Sequence, residues 1–453
     1  MHKMGMNMKI RKTKAEVLNT SILLLLSNVI FTSQIAQAQA PSDWAKLPDH
    51  KIELFYPGQS SYQWLRSKEH KRANKKVDQG EACESCHEGE ESDIGKLLVS
   101  GDRLEPHPIS GKPAVIDLNV KVAYDSDHVY FQFKWPTANN YPGVAHPHWQ
   151  YDGTQWKQIG WPRLHEKVWK EGHPAIYEDR FSMMLDDGSV PMFAEQGCWI
   201  SCHNGMRDMP ELASKEAVKA HTFLGGTLHK KDVRKYLPDS RSDDNASWAK
   251  VKPASEIAQL KSDNRFVDLM QWRAHRSQPI GMADDGYVFE YRLTDAGKNI
   301  FSKNWDKTLN QPKYMFDPAK VGFKSRSLDQ IRDLSQPSSL IVEENTLAFD
   351  ASVKWKKGDM IPEYYVSRTM AKGSAADNGK VNAIWGAGYW TLEWQRKLDT
   401  GHPADDKAFK EGQVYTFGFA VHDDNITTRG HHVSFPIAVG FGVKAAIQAV
   451  KIE

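Results

Sequence analysis

Apolar and polar positions alternate along the chain from about residue 115, and this alternation predicts β-structure. The pattern is clearest in two runs separated by a polar turn at 125–127: Ile116, Leu118, Val120 and Val122, then Val129, Phe131 and Phe133. A period of two is typical of strands with one buried face, so the pair predicts a hairpin. Further strand-like runs follow at 287–293, 339–342, 389–394, 414–420 and 432–437. Short strands joined by long helical or irregular loops predict a mainly β fold, an antiparallel β-sandwich over residues 111–453.

Residues 41–110 differ from the sandwich region and form a separate N-terminal segment. They are polar and rich in turns, with a helix-favouring stretch at 64–76 and a few large apolar residues: Trp44, Phe55, Tyr56 and Trp64. A segment of about 70 residues buries little apolar surface by itself. We therefore expect an extension of the sandwich rather than a free-standing domain.

The first 40 residues have the pattern of a secretory signal peptide. Basic residues between Lys9 and Lys14 precede a short apolar run from Ser21 to Phe31, and Ala36-Gln37-Ala38 and Ala38-Gln39-Ala40 offer small-x-small cleavage sites. The alternative is a membrane anchor, but the run is shorter than the roughly 20 residues that cross a bilayer. The sequence predicts export to the periplasm, with no membrane span after cleavage.

The charge of the chain does not indicate a nucleic-acid partner or binding to an anionic membrane. The chain has 59 basic and 57 acidic residues, and residues 1–40 contain five of the basic and one of the acidic residues, which leaves 54 and 56. The rest of the chain therefore has a formal charge of −2 and contains no dense basic block. We predict no nucleic-acid partner.

The four cysteines form two pairs, and a histidine follows each pair directly. The first is Cys83-Glu84-Ser85-Cys86-His87, the C-x-x-C-H pattern of covalent c-type haem attachment. Two thiols one turn apart form thioethers to the two haem vinyl groups, and the next residue places an imidazole on the iron. The second pair, Cys198 to Cys202 followed by His203, has one more residue between the thiols and is a rarer variant of the pattern. Together the motifs predict two covalently bound haem c groups.

Two other interpretations of the cysteines are a structural zinc site and local disulfides. Paired cysteines at short spacing are typical of structural zinc. Exported proteins also commonly carry disulfides. Neither chemistry requires a histidine directly after the second cysteine of each pair, whereas haem attachment does. The sequence therefore favours haem, with His87 and His203 as proximal iron ligands.

The stretch from about 115 to 441 also resembles a known family, the haem-binding subunit of ethylbenzene dehydrogenase and related molybdoenzymes. The resemblance lies in VKVAYDSDHVYFQFKWP (120–136), YEDRFSMMLDDG (177–188), DLMQWRAHRSQPIGMADDGY (268–287) and WTLEWQRKL (390–398). It implies a β-sandwich that holds one haem b non-covalently between loops at one end and passes electrons between catalytic subunits and an external carrier. This chain departs from that pattern because it has covalent attachment motifs and an additional segment in front.

The same resemblance implies a distal ligand for the second haem. The family's axial ligands are a methionine and a lysine. The methionine region corresponds to 191–206, which contains the second motif, and the lysine region lies near 272–275, where this chain has Trp-Arg-Ala-His. We therefore expect His203 as proximal ligand and His275 as distal ligand of this haem.

The distal ligand of the first haem is sought among the remaining histidines. The candidates are His107, His146, His148, His431 and His432, and a methionine ligand, Met206, Met209 or Met282, stays possible for either haem. His432 begins the strand-like run 432–436, which would fix the direction of its side chain, so we predict His432.

Two haems on one exported chain predict a dihaem c-type cytochrome that transfers electrons in the periplasm. Its partner would be a redox protein: a small cytochrome, a quinol-linked donor or a molybdoenzyme. The alternative is a haem enzyme with an open iron site that reduces a small oxidised substrate. High-spin absorption or ready carbon monoxide binding would favour the enzyme.

Overall fold

A computed structural model gives the structure of the chain and describes residues 41, 43–101, 104–137, 141–333, 336–376 and 379–453. The predicted signal peptide at 1–40 lies outside these residues. The described residues form one compact unit. Within the described ranges, no helix combines the length and the apolar character needed to cross a membrane.

The structure is mainly β, as the sequence predicts. In chain order, the strands of the described residues are β1 His50–Phe55, β2 Val115–Tyr124, β3 His128–Pro136, β4 His148–Tyr151, β5 Trp156–Ile159, β6 Arg180–Asp186, β7 Val267–Arg273, β8 Asp284–Val288, β9 Arg292–Thr294, β10 Phe301–Lys303, β11 Tyr314–Phe316, β12 Leu340–Ile341, β13 Thr346–Ala348, β14 Met360–Pro362, β15 Tyr364–Val366, β16 Lys380–Gly386, β17 Tyr389–Lys397, β18 Gln413–His422, β19 His432–Val433, β20 Ile437–Phe441 and β21 Ile447–Lys451. The helices are short: α1 Tyr62–Leu65, α2 Asn74–Asp78, α3 Glu84–His87, α4 Glu91–Val99, α5 Glu166–Trp169, α6 Pro191–Gln196, α7 Lys215–Ala220, α8 Ala254–Ser262 and α9 Pro318–Val321.

One large sheet of 13 strands organises the fold. Its order is β16-β17-β3-β2-β1-β19-β18-β6-β7-β8-β9, and β20 and β21 join it through β18 and β2. Pairing within this sheet is antiparallel except at β21, which runs parallel to β2 and β20. A bridge between Met282 and Lys380 links the edge strand β16 to the chain between β7 and β8, near the other edge of the sheet. The predicted hairpin is β2 and β3, paired from Asn119–Lys134 to Tyr124–Val129.

Aromatic side chains fill the space between the two halves of this sheet. Phe133 on β3 contacts Phe181 on β6, with ring centroids 4.2 Å apart. Trp135, also on β3, meets Trp272 on β7 edge to face at 5.9 Å. All four side chains have no exposed surface. Because each aromatic ring buries a large apolar area, this layer is the main core, and the predicted sandwich is confirmed.

The N-terminal segment contributes directly to the large sheet. β1 pairs with β2 from His50–Val120 to Phe55–Val115 and meets β19 at Phe55–Val433. The helix-favouring stretch at 64–76 is not one helix, because the chain between α1 and α2 turns sharply, with φ of 36° at Lys71 and 76° at Arg72. Positive φ ends regular helical geometry, so residues 66–73 form a tight loop.

Candidate haem-attachment sites

The first motif lies on one helical turn. Cys83 precedes α3, and its carbonyl accepts the N–H of His87 at 3.1 Å, so Cys83, Cys86 and His87 lie within one turn. Cys86 is exposed and Cys83 is partly buried. The Nδ1–H of His87 donates to the Glu90 carboxylate at 2.8 Å. Since Nδ1 is held by an acceptor, the other ring nitrogen, Nε2, is the one available to a metal.

The second motif is buried at the end of the sandwich. Cys198 lies in a 3₁₀ turn over Gly197–Ser201, and Cys202 follows it directly. The turn begins at Gly197 with φ of 56° and ψ of −143°, a conformation that essentially only glycine adopts. His203 is completely buried, its ring stacks on Tyr236 at 3.7 Å, and its Nε2–H donates to the Tyr236 carbonyl at 3.0 Å. An iron on Nε2 of His203 would therefore replace this hydrogen bond.

Hydrogen bonds tie the second motif to α1 and tie the first motif to the chain just before the second. The N–H of Tyr62 donates to the carbonyl of Cys202 at 2.7 Å, and Gln63 Nε2 lies 3.0 Å from Nδ1 of His203. On the other side, the N–H of Cys83 donates to the carbonyl of Glu195 at 3.0 Å. Glu195 is three residues before Cys198, a length of chain that spans at most ~11 Å. The motifs, 115 residues apart in sequence, are therefore neighbours in the fold.

All four cysteines are free thiols in the structure. Burial raises the pKa of the Cys83 thiol to about 11 and that of the Cys198 thiol to about 12. Among the described residues, the clusters of His, Cys, Asp and Glu that could hold a metal ion consist of aspartates and include no cysteine.

Buried positive charge next to the second motif fits an anionic group. The ammonium of Lys235 lies 3.0 Å from Cys202 Sγ. Burial, and then the charges of Lys235 and Arg180, lower the pKa of His431 well below its usual value, so these groups share one environment. Within the described residues, Nε and one terminal nitrogen of Arg180 are buried without a hydrogen-bond partner. Buried guanidinium nitrogens without a hydrogen-bond partner are costly, and the carboxylates of a haem group would supply acceptors for them.

His70 lies next to His87, although no sequence pattern indicated it as a candidate iron ligand. The two ring centroids are 6.1 Å apart and the ring planes differ by 17°. His70 is in the tight loop between α1 and α2, inside the stretch that the sequence pattern assigned to a helix. A continuous helix over 64–76 gives no indication that His70 lies next to His87.

His275 lies just after β7, in a buried group of histidines. Its ring centroid is 6.2 Å from that of His146 and 5.9 Å from that of His148. Its Nδ1–H donates to the Val144 carbonyl at 2.9 Å, and its Nε2 is buried without a partner in the described part of the chain. Burial lowers the pKa of His275 to about 4. No ring contact joins it to His203 among the described residues, and its role as distal ligand stays a prediction.

His432, the first residue of β19, is completely buried. Its Nε2–H donates to the Pro113 carbonyl at 2.9 Å. Burial, and then the nearby charge of Lys112, lower its pKa to about 3. The described residues contain no ring contact between His432 and His87, so this distal assignment also stays a prediction.

Two carboxylates near His275, Glu178 and Asp284, form ion pairs with arginines. Glu178 lies 2.6 Å from Nε of Arg276 and also accepts the backbone N–H of His275 at 2.8 Å. Asp284 pairs with Arg273 at 2.7 Å. These groups fix the turn after β7 and thereby the position of His275.

Asp179 gives a pH-dependent prediction. It is buried, and its Oδ2 accepts the N–H of Gly143 at 2.8 Å and of Trp390 Nε1 at 3.0 Å. Burial raises its pKa to about 7. A carboxyl with a raised folded-state pKa stabilises the fold below its unfolded pKa of about 4 and loses that contribution as pH rises through 7. We expect the free energy of unfolding of Asp179→Asn to rise by roughly 2–3 kcal/mol relative to wild type between pH 5 and pH 8, measured by denaturant unfolding.

Asp306→Asn is the matched control for this experiment. Hydrogen bonds from the N–H groups of Leu309 and Thr308 lower the pKa of Asp306, which is therefore ionised at both pH values. Its difference from wild type should stay constant from pH 5 to pH 8. A constant difference for Asp179→Asn as well would show that Asp179 does not titrate in this range.

Fold and site together define a class: a β-sandwich protein with two neighbouring cysteine–histidine motifs in one compact unit. The sequence profile of the ethylbenzene dehydrogenase family matches residues 42–434, so the chain belongs to this family. Cytochrome c-552 of Stutzerimonas stutzeri is 24% identical over 426 residues, which cover 93% of this chain and 95% of that protein. Cytochrome c-551 of Rhodocyclus tenuis is 28% identical over 174 residues, which cover 37% of this chain and 58% of that protein.

Proposed function

We propose that this protein is an exported dihaem c-type cytochrome that transfers electrons in the periplasm. One haem c is attached at Cys83 and Cys86 with His87 as proximal ligand. The other is attached at Cys198 and Cys202 with His203 as proximal ligand and His275 as distal ligand. The partner is a redox protein such as a small cytochrome, a quinol-linked donor or a molybdoenzyme. The names of the two relatives support the cytochrome class.

The observation that carries this proposal is the contact between the motifs. The hydrogen bond from Cys83 to Glu195 ties the first motif to α6, which leads directly into the second motif. Arg66, just after α1, reinforces this contact by donating to the Gln196 side chain at 2.8 Å. Two redox groups attached here would be neighbours, and adjacent centres on one chain favour relay of electrons over two independent functions.

The two motifs have different surroundings. This difference supports a relay in which the first haem exchanges electrons with the partner protein and the second haem is the inner centre. The first motif carries the exposed Cys86 and lies at the surface, where a partner protein has access. The second motif packs in an apolar cluster with Phe55, Phe435 and Trp199. When bound, haem supplies a one-electron couple between ferric and ferrous iron. The chain's contribution is to exclude water around the inner site and to balance its charge with Lys235 and Arg180.

The intact mass of the denatured, exported protein tests this proposal. Made in cells competent for haem attachment, it should have the mass of a chain cleaved near residue 40 plus two haems. Reduced protein should also transfer electrons rapidly to a small c-type cytochrome in a stopped-flow experiment. A mass corresponding to one haem would remove the relay, and a chain without haem would overturn the proposal.

A further inference from the structure

We infer that His70 is the distal iron ligand of the first haem, opposite His87; this rests on the proposed function, because it requires haem at Cys83 and Cys86. The centroids of the two imidazole rings are separated by a distance that suits two ligands of one metal ion, and the ring planes differ by 17°. Metal–imidazole bonds of about 2.0 Å on each side, together with the half-width of each ring, place two coordinating rings roughly 6 Å apart. The observed separation of the centroids is 6.1 Å.

The hydrogen bonds of both rings leave the same nitrogen available. Nδ1 of His70 lies 3.0 Å from the carbonyl oxygen of Leu65, and Nδ1 of His87 lies 2.8 Å from the Glu90 carboxylate. Both partners are acceptors, so each Nδ1 carries a proton and each neutral ring has its lone pair on Nε2. In the described part of the chain neither Nε2 has a hydrogen-bond partner. An imidazole oriented by an acceptor at one nitrogen is the usual arrangement of a metal-bound histidine.

The loop between α1 and α2 holds His70 in this position. The N–H of His70 donates to the Ser67 carbonyl at 3.1 Å, and its carbonyl accepts the N–H of Ala73 at 2.8 Å. The ring also contacts Trp64, with centroids 4.9 Å apart. The positive φ values of Lys71 and Arg72 then turn the chain toward α2. These contacts fix the ring before any metal binds, which lowers the entropic cost of coordination.

The other candidates have no ring contact with His87 among the described residues. His431 stacks on His422, with ring centroids 4.8 Å apart. His432, at the start of β19, donates from Nε2 to the Pro113 carbonyl. The exposed His107 stacks on Trp169 at 4.5 Å. His146 and His148 belong to the buried group around His275. His70 is thus the histidine that the described structure brings next to His87.

His70→Ala tests the assignment in the full-length protein, with three readouts: haem count by intact mass, the absorption spectrum, and carbon monoxide binding by the reduced form. The variant should keep both haems, show new high-spin features, and bind one more equivalent of carbon monoxide per chain than wild type. Added imidazole should restore the low-spin spectrum. His107→Ala is the matched control and should behave as wild type, and His432→Ala tests the sequence-based choice.

His70→Met covers the case in which the alanine variant does not fold. It should keep six-coordinate iron, show a methionine-to-iron charge-transfer band, and raise the midpoint potential of one haem. Full haem content with an unchanged spectrum in both His70 variants would overturn the assignment, as would a gain of carbon monoxide binding in His432→Ala alone. Wild-type protein without haem on Cys83 and Cys86 would instead overturn the proposed function, and the ligand with it.

Discussion

Replacing Arg396 with methionine is expected to lower the free energy of unfolding by about 3–5 kcal/mol, because it leaves buried carboxylates without their counter-charge. Arg396 has no exposed surface, and its guanidinium lies 3.1 Å from Asp268 and 3.9 Å from Asp406. It also donates to the backbone carbonyl of Lys407 at 2.9 Å. Carboxylate oxygens of Asp268, Asp285 and Asp406 lie within 4.8 Å of one another. Methionine fills much of the same volume, so the lost charge and hydrogen bonds dominate the effect.

The destabilisation should depend on pH in a defined direction. Burial raises the pKa of Asp268 to about 7, against the opposing charge of Arg396. Below pH 7 this carboxyl is protonated in the folded protein and needs no counter-charge. Above pH 7 it ionises, so the loss of Arg396 should cost more at pH 8 than at pH 5.

Denaturant unfolding at pH 5 and pH 8, followed by circular dichroism, measures both effects. The control is Arg265→Met, since Arg265 pairs with Asp239 at the surface and both side chains are about 30% exposed (33% and 29%). A surface pair contributes at most about 1 kcal/mol. Equal losses for the two variants, or a loss at position 396 that does not grow with pH, would contradict this account of the cluster.

Alternation of apolar and polar residues predicts only those strands that have one face in contact with solvent. β2 is buried at every second residue from Ile116 to Val122, and this is the pattern from which the hairpin was predicted. β6 and β7 were not predicted, although they are central to the sandwich. Every residue of both strands is buried, because loops and helices cover their outer faces. A strand buried on both sides has no period of two, so periodicity alone cannot find it.

The attachment motifs could be predicted from sequence because covalent chemistry restricts their spacing locally. A distal ligand has no such restriction, since it is brought into place by the fold. His70 reaches His87 through a loop in which two non-glycine residues, Lys71 and Arg72, adopt positive φ. Neither residue type signals a turn, and the surrounding residues favour a helix. The sequence pattern instead favoured His432, whose strand begins where it was predicted and whose Nε2 donates to the Pro113 carbonyl; that assignment stays a prediction.

Removing the two cysteine pairs one at a time is expected to halve the haem content in each case but to affect the fold unequally. Cys83→Ala/Cys86→Ala should lose one haem and keep nearly wild-type stability, because Cys86 is exposed and α3 is a single turn at the surface. Cys198→Ala/Cys202→Ala should lose the other haem and be clearly less stable. Cys198 packs in an apolar cluster with Phe193 and Phe435, and loss of haem would leave the unpartnered guanidinium nitrogens of Arg180 uncompensated.

Intact mass, the denaturation midpoint and stopped-flow electron transfer to a small cytochrome distinguish these outcomes, with each double variant as the control for the other. If the surface haem exchanges electrons with the partner, the Cys83/Cys86 variant should exchange them at least tenfold more slowly, whereas the Cys198/Cys202 variant should keep a fast first phase. A Cys198/Cys202 variant of unchanged haem content would mean that this motif does not attach haem. Loss of all haem from either variant would mean that attachment at one motif requires the other, a consequence of their contact through Glu195 rather than of two independent sites.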